Sequence, residues 1–386
     1  MPETEKTTYA FILGSHPDLS LAELNAVLPL PDGAPLTRSG TVAFYKTADP
    51  LDADALMETL GGCIKIVEMA GVFDEEKLLD WLMNQVDRST KFNYGFSLYP
   101  ADRGIKTKKH WKTLHKLGLQ LKKSFKEQEI SVRFVESREV ILSSVIVRKE
   151  RLLKNGVDIV LLKDNDGMRF GKTLATQPFG EFSRRDYGRP ERDARSGMLP
   201  PKVARMMVNI AQPKKDSVVL DPFCGSGTIP QEALLLGYAN VIGNDISEKA
   251  VEDTRKNLEW MKLPEIPLHV SPAEELVMKS VLDPYSVDRI VFEGYLGPPS
   301  PKEEHILKIK KELAALYTNA FPVLFDLLKE DGRVVAALPF WRFREDHHLD
   351  IPAIIKRAGF VMDAGPWFYR RPQSTVGREI VRLKKA

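Results

Sequence analysis

Three acids in the second half of the chain stand at the ends of short apolar runs, where a parallel sheet delivers side chains to a ligand. Val218-Val219-Leu220 ends in Asp221, and the turn Pro222-Phe223-Cys224-Gly225-Ser226-Gly227-Thr228 leads into a helical pattern. Gly225 and Gly227 would let backbone approach a ligand closely at that helix's N-terminus. The next run ends in Asp245, 24 residues after Asp221. That is the place for an acid that takes both ribose hydroxyls of an adenosine-type cofactor. The spacing D-x-x-x-G-x-G differs from G-x-G-x-x-G, and Asp221 suits a ligand ammonium where a pyrophosphate would be repelled. Together these features indicate S-adenosylmethionine over NAD. The plain alternative is a tight βα turn in a flavodoxin-like domain without a cofactor.

The third acid closes the run in "VFEGYLGPP", Val291 to Pro299. Val291 and Phe292 are strand formers, Glu293 follows, and Gly and Pro then break the pattern. An Asp or Asn here, followed by two prolines and an aromatic ring, would suit methyl transfer to an amine. This chain has Glu293-Gly294-Tyr295-Leu296 instead. Shifting the motif to Gly297-Pro298-Pro299-Ser300 supplies neither acid nor ring, so Glu293 holds the acid position and Tyr295 the ring. Glu293 and Tyr295 are therefore the expected catalytic pair. A loop-capping Glu293 in an enzyme-derived scaffold is the alternative.

The elements that must position these residues read in three stretches. From Pro201 on, strand and helix patterns alternate strictly, which argues for a doubly wound parallel sheet. Residues 171–200 are rich in Pro, Gly and Arg and read as an ordered connector. Before them, "TYAFILG", "CIKIVEM", "NYGFSLYP", "SVRFVE" and "ILSSVIV" read as strands. "SLAELNAVL" and a segment from about Lys108 to Gln128 read as helices. That pattern suggests small α+β units.

The connector and the cofactor turn carry a family resemblance. Arg189-Pro190, Asp193, Gly197-Met198-Leu199-Pro200-Pro201-Lys202 and then Asp221 to Thr228 resemble the tRNA guanine-N2 methyltransferases that modify guanosine 10. That archaeal and eukaryotic family carries a THUMP RNA-binding domain. "FILGSHPDLSLAEL" and "GGCIKIVEM" are similar to its opening ferredoxin-like unit, and "LSSVIVRKERLLKNGVDIVLL" to the second half of its THUMP domain. The resemblance implies an α/β fold. A Rossmann-like class I methyltransferase domain, doubly wound on a mostly parallel sheet, would be preceded by α+β ferredoxin-like and THUMP units. The corresponding boundaries are 1–88, 89–170, a linker over 171–199, and 200–386.

Site residues follow from the same resemblance. Pro200 and its neighbours would border the methionine end of S-adenosylmethionine, with Asp221, Pro222, Phe223, Gly225, Gly227 and Asp245 completing the site. Where the family places Asp-Ala after the third strand, near the adenine amine, this chain has Ser271-Pro272-Ala273-Glu274. Ser271 or Glu274 would substitute. The plain reading of Pro200-Pro201 is a stop before a helix that begins with Pro. In the family the catalytic turn is Asp-Pro-Pro-Tyr, so Glu293 reaches about one C–C bond further and Gly294 removes the stiffness of proline.

Composition narrows the partners. The chain has 386 residues, net charge +3 and two cysteines, Cys63 and Cys224, far apart. That excludes a disulfide framework and a cysteine-built zinc site, and suits a reducing cytoplasm. The opening "MPETEKTTYAFILG" lacks signal-peptide character, and no apolar run of 18 residues suggests a membrane span. From Lys106 to Lys126 run eight lysines and no acid. Trp111, Leu114, Leu121 and Phe125 form an apolar stripe there, leaving Lys108, Lys109, Lys112 and Lys116 for phosphate contacts with tRNA or for a solvated face. Arg184, Arg185, Arg189, Arg192 and Arg195 make a second cluster, of which Arg189 is the expected RNA contact. His347-His348 lacks a spaced third ligand and reads as a solvated turn, so no metal is expected. A non-catalytic tRNA-binding protein and a DNA amine methyltransferase are the competing functions.

Overall fold

The computed structural model describes residues 6–30, 36–102, 104–192 and 198–386. Asp193, Arg195 and Gly197 lie outside the described residues. Two compact units form: one runs up to Leu21 and resumes over Pro29–Phe179, the other comprises Ala22–Leu28 and Gly180–Ala386. No described helix is long and apolar enough to cross a membrane.

The chain opens with β1 (Thr7–Leu13), α1 (Pro17–Val27), which belongs to the first unit only up to Leu21, β2 (Thr37–Ser39), β3 (Val42–Thr47), α2 (Ala53–Thr59) and β4 (Cys63–Val72). Then come α3 (Glu75–Met83), β5 (Phe92–Pro100), α4 (Trp111–Glu127), β6 (Val132–Phe134), α5 (Ser144–Lys149), β7 (Gly156–Lys163) and β8 (Met168–Thr176). Among the described residues these strands make one eight-stranded sheet, β2-β3-β1-β4-β8-β7-β5-β6. The sequence divisions at 88 and 170 thus fall within a continuous sheet, with β8 bridging β4 and β7 by antiparallel pairing.

Helix α4 covers the β5 end of that sheet. Leu114, Leu117, Leu121 and Phe125 are buried against Phe92, Tyr94 and Phe96. Gly118 is obligatory there, because a Cβ would meet the Phe134 ring at 2.2 Å, and the Tyr94 hydroxyl donates to the Gly118 carbonyl at 2.6 Å. Lys108, Lys109, Lys112 and Lys116 are all exposed. Deeper in the sheet, Lys65 Nζ donates to Asp158 at 2.6 Å with both side chains fully buried. Ser97 and Thr173 also donate to that carboxylate, so the buried charge pair is hydrogen-bonded throughout.

Three expectations need correction. "ILSSVIV" is not a strand: the Ser143 hydroxyl accepts from the Ile146 N–H at 3.3 Å and starts α5. The N-cap bond outweighs the β-branched composition. The 171–199 stretch is not simply a linker either, since 171–176 finish β8 and Phe179–Tyr187 form a helix, α6. His347-His348, finally, is no solvated turn, because both belong to a strand, and His348 Nδ1 lies 2.7 Å from Glu379 and stacks on Phe340.

The second unit continues with α7 (Pro201–Ala211), β9 (Val219–Asp221), α8 (Thr228–Leu235), β10 (Val241–Asp245), α9 (Glu248–Trp260), β11 (Leu268–Val270) and β12 (Val287–Glu293). It ends with α10 (Ile306–Leu327), β13 (Leu328–Arg342), β14 (Asp346–His348), α11 (Ile351–Arg357), β15 (Phe360–Tyr369) and β16 (Val376–Lys385). The sheet order is β11-β10-β9-β12-β13-β16-β15, with β14 paired to β13. Strands β11 to β13 are mutually parallel, and β16 runs antiparallel to both neighbours. Strand order reverses between β9 and β12, which is where such sheets open a crevice beyond their carboxyl ends. Ile290, Val291 and Phe292 are fully buried in β12, as a strand covered on both faces requires.

Candidate active site

A cavity of about 530 Å³ opens at that reversal. Asp221 and Glu293, the last residues of β9 and β12, share its wall with Phe223, Gly225, Met198 and Leu199. The start of α9 contributes Ser247, Lys249, Ala250 and Asp253. Among the described residues, Pro200, Pro222, Gly227, Asp245, Ser271, Glu274 and Tyr295 lie outside this wall.

Most of those outlying residues hold the segments that form the wall. Asp245 Oδ2 accepts from the Gly225 N–H and Oδ1 from the Ser247 N–H, both at 2.9 Å. Its carboxylate thereby ties the glycine turn to the start of α9. Gly227 adopts φ +83, and a Cβ there would strike Thr254 at 2.8 Å. Gly225, at φ +53, faces open space, which leaves its backbone accessible. The Thr254 hydroxyl donates to the Gly225 carbonyl and Asn257 Nδ2 to the Ser226 carbonyl, fixing the turn's shape. Pro200 caps α7, its carbonyl accepting from Val203 and Ala204. Ser271 is buried, and its N–H donates to the Asp245 carbonyl at 3.0 Å. Glu274 sits half-buried in a short 3-10 turn.

Arg189 is not a surface residue. It is 3% exposed, and its guanidinium donates to the Thr228 hydroxyl at 2.7 Å and to the Met198 sulfur. It braces the start of α8, and this burial removes it from the expected phosphate contacts. Arg185 likewise pairs with buried Glu232, which also holds Arg205.

The electrostatics of the cavity are polar end to end. Burial pushes the Asp221 carboxyl well above the usual carboxylate range, and the nearby Asp245 and Glu293 charges push it further, against the Phe223 N–H that stabilises its anion. A ligand cation beside it would relieve that cost. Across the turn, the first N–H groups of α8 offer a place for a ligand anion. Ile246 and Val270, 70% and 52% exposed, leave apolar surface beside the Asp245 strand end, outside the cavity wall. These two went unnoticed in the sequence. For Ile246 the usable signal was an apolar residue directly after the acid; Val270 reaches the same strand end only through its pairing with Asp245.

A raised carboxyl pKa in the folded state costs stability as pH climbs from the ordinary carboxylate range to the raised value. Asp221→Asn, which keeps an acceptor for the Phe223 N–H, is therefore expected to raise the melting temperature at neutral pH. Melting curves recorded across pH check this, since the variant should lose that part of the pH dependence.

At the β12 end the turn departs from a proline-built one. The Gly294 N–H donates to the Ala337 carbonyl at 3.1 Å, extending the β12–β13 ladder by one residue. A Cβ at Gly294 would lie 2.3 Å from the Tyr317 hydroxyl, which itself donates to the Tyr295 carbonyl at 2.7 Å. The Tyr295 ring is 58% exposed. Glu293 Oε1 accepts from Arg378 Nε at 2.5 Å.

The family model described as "RMKL-like, methyltransferase domain" matches residues 189–340, and one described as "DNA methylase" matches 81–256. The tRNA (guanine(10)-N2)-dimethyltransferase of Methanothermobacter thermautotrophicus is 32% identical over 189 residues, covering 48% of this chain and 50% of that protein. The probable tRNA (guanine(10)-N2)-dimethyltransferase of Methanothermococcus thermolithotrophicus is 32% identical over 139 residues, 35% of this chain and 78% of that one. The chain belongs to the tRNA (guanine(10)-N2)-dimethyltransferase family. Its match spans only half or less of the first two relatives' lengths, 50% and 38%. At the level of fold, this family member also resembles TrmN from Thermus thermophilus, with TM-score 0.56 and 18% identity over 99% of this chain and 100% of that one.

Proposed function

We propose that this chain is an S-adenosylmethionine-dependent methyltransferase acting on the exocyclic N2 amine of a guanine in tRNA. One observation carries the reading: Glu293 opens into the same cavity as Asp221 and Gly225, so an acceptor amine and a cofactor would meet there. The residues fit that cofactor. Asp221 is a buried acid whose charge needs a cation, Gly225 leaves room at the turn, and the Asp245 strand end carries both an acid and apolar surface. S-adenosylmethionine would supply an electrophilic methyl group.

The chain's own residues do the rest. A guanine N2 lone pair is delocalised into the ring and is a poor nucleophile. Glu293 accepts a hydrogen bond from the amine and so raises electron density on nitrogen as positive charge develops there. Tyr295, exposed at the turn, stacks on the base once it leaves its helix. Incubating purified protein with S-adenosylmethionine and an unmodified tRNA transcript, then measuring nucleosides by mass spectrometry, tests the reading. N2-methylated guanosine is expected. Binding of both ligands without transfer would make the chain a binding protein, and methylated DNA amines would redirect it to DNA.

In this reading the first unit, whose ferredoxin-like and THUMP-like parts share one continuous sheet, supplies most of the tRNA affinity. The exposed Lys108, Lys109, Lys112 and Lys116 contact phosphates, so affinity falls steeply with salt as counterions are released. Replacing all four by Ala is expected to reduce the slope of log affinity against log salt by up to about 3–4. Filter binding across a salt series checks it, and an unchanged slope would leave α4 a solvated face.

A further inference from the structure

We propose that Arg378 is a positioning residue for Glu293, restoring by an ion pair the aim that a shorter acid on a stiff proline turn would have had. The inference rests on the methyltransferase reading above. Glu293 carries one more rotatable bond than Asp, so its place at the strand end does not by itself fix the carboxylate. The sheet supplies the missing constraint from two strands away. In β13, Ala337 pairs with Glu293, and Pro339 pairs with Arg378 in β16. Across that strand Arg378 Nε reaches Glu293 Oε1 at 2.5 Å.

The pair is built in. Arg378 is 3% exposed, and its guanidinium carbon lies 5.7 Å from the centroid of the Tyr369 ring, its register partner in β15. A planar guanidinium held over a ring has few alternative orientations, so it fixes the carboxylate it grips. Glu293 Oε2 accepts from none of the described residues, and Glu293 lines the cavity. Oε1 is thus the anchored oxygen and Oε2 the one turned to the acceptor amine. Meanwhile the Tyr317 hydroxyl holds the Tyr295 carbonyl, so the carboxylate and the backbone that carries the ring are each fixed by a side chain from elsewhere in the unit. A buried ion pair made only for stability would hold the fold without setting the rate.

The test compares Arg378→Lys and Arg378→Met in the full chain, alone and combined with Glu293→Gln. Single-turnover methyl transfer, KM for tRNA, calorimetric affinity for S-adenosylmethionine and melting temperature are read on each. Arg378→Met is expected to lower the rate of transfer about 100-fold, as for a misplaced reacting group. Cofactor affinity and KM stay within about threefold, because neither contact is touched. Arg378→Lys retains a charge without the planar grip and falls between. In the Glu293→Gln background Arg378→Met has less than about a twofold further effect, since residues acting as a unit are not additive. Full-rate Arg378→Met, or losses that add in the double variant, overturn the proposal. Should Arg378→Met fail to fold, the Lys variant decides: a wild-type rate from it overturns the proposal, and a reduced rate at unchanged cofactor affinity supports it. Wild-type protein that binds both ligands and transfers no methyl overturns the methyltransferase reading itself, and this inference with it.

Discussion

Glu293→Gln is expected to lower methyl transfer by about 10²–10³-fold, the usual cost of losing one preorganised electrostatic contact to a reacting group. Gln keeps the length of the side chain and a carbonyl oxygen for Arg378 Nε. What it loses is the charge that accepts from the amine as nitrogen becomes positive. Cofactor and tRNA affinity should persist, since neither depends on that oxygen. The substitution also removes the carboxylate charge that the buried Arg378 Nε grips. Some loss of melting temperature is expected, smaller than for Glu293→Ala, which removes the acceptor too and should cost about 3–5 kcal/mol. Measuring transfer at a temperature where all variants are folded separates the two effects. A Gln variant that transfers at the wild-type rate would reduce Glu293 to a loop cap.

Asp245→Ala should weaken S-adenosylmethionine binding by about 1.5–3 kcal/mol, roughly 10- to 150-fold, through loss of a charge-assisted contact to the ribose. The structure adds a second reason. The same carboxylate organises the Gly225 and Ser247 N–H groups, so its removal loosens both sides of the glycine turn. Asp245→Asn distinguishes these contributions, because an amide has one oxygen and can retain only one of the two backbone bonds. Calorimetric titration is the measurement, and unchanged affinity in the Ala variant would overturn the assignment of Asp245.

The parallel sheet was legible because its strands are short apolar runs that end in chemistry. Asp221 and Glu293 could each be placed at a strand end from pattern alone, whereas the sheet order that sets β9 beside β12 and lets the two share a cavity could not. Less accessible was anything decided by a partner far along the chain. Arg189 belonged by composition to a basic cluster, yet the Thr228 hydroxyl and Met198 sulfur draw it inside. His348 looked solvated until the pairing of β13 and β14 brought it to Phe340 and Glu379. Ser143 turned a β-branched run into a helix through a single side-chain bond. Arg378 follows Glu293 by 85 residues, and no local periodicity connects them.

The Gly294–Tyr317 contact constrains how this turn could change. Proline at 294 would forfeit the hydrogen bond to Ala337 and drive ring atoms into the Tyr317 side chain, whose nearest ring carbon already stands 2.6 Å from the position of a Cβ. Restoring Asp-Pro-Pro-Tyr one residue at a time therefore passes through an intermediate that fits neither arrangement. Shrinking Tyr317 first frees the space but releases the Tyr295 carbonyl. The two solutions are separated by a valley, so lineages holding one cannot drift readily to the other. Anyone grafting the proline motif onto this scaffold has to vary positions 294 and 317 in the same library.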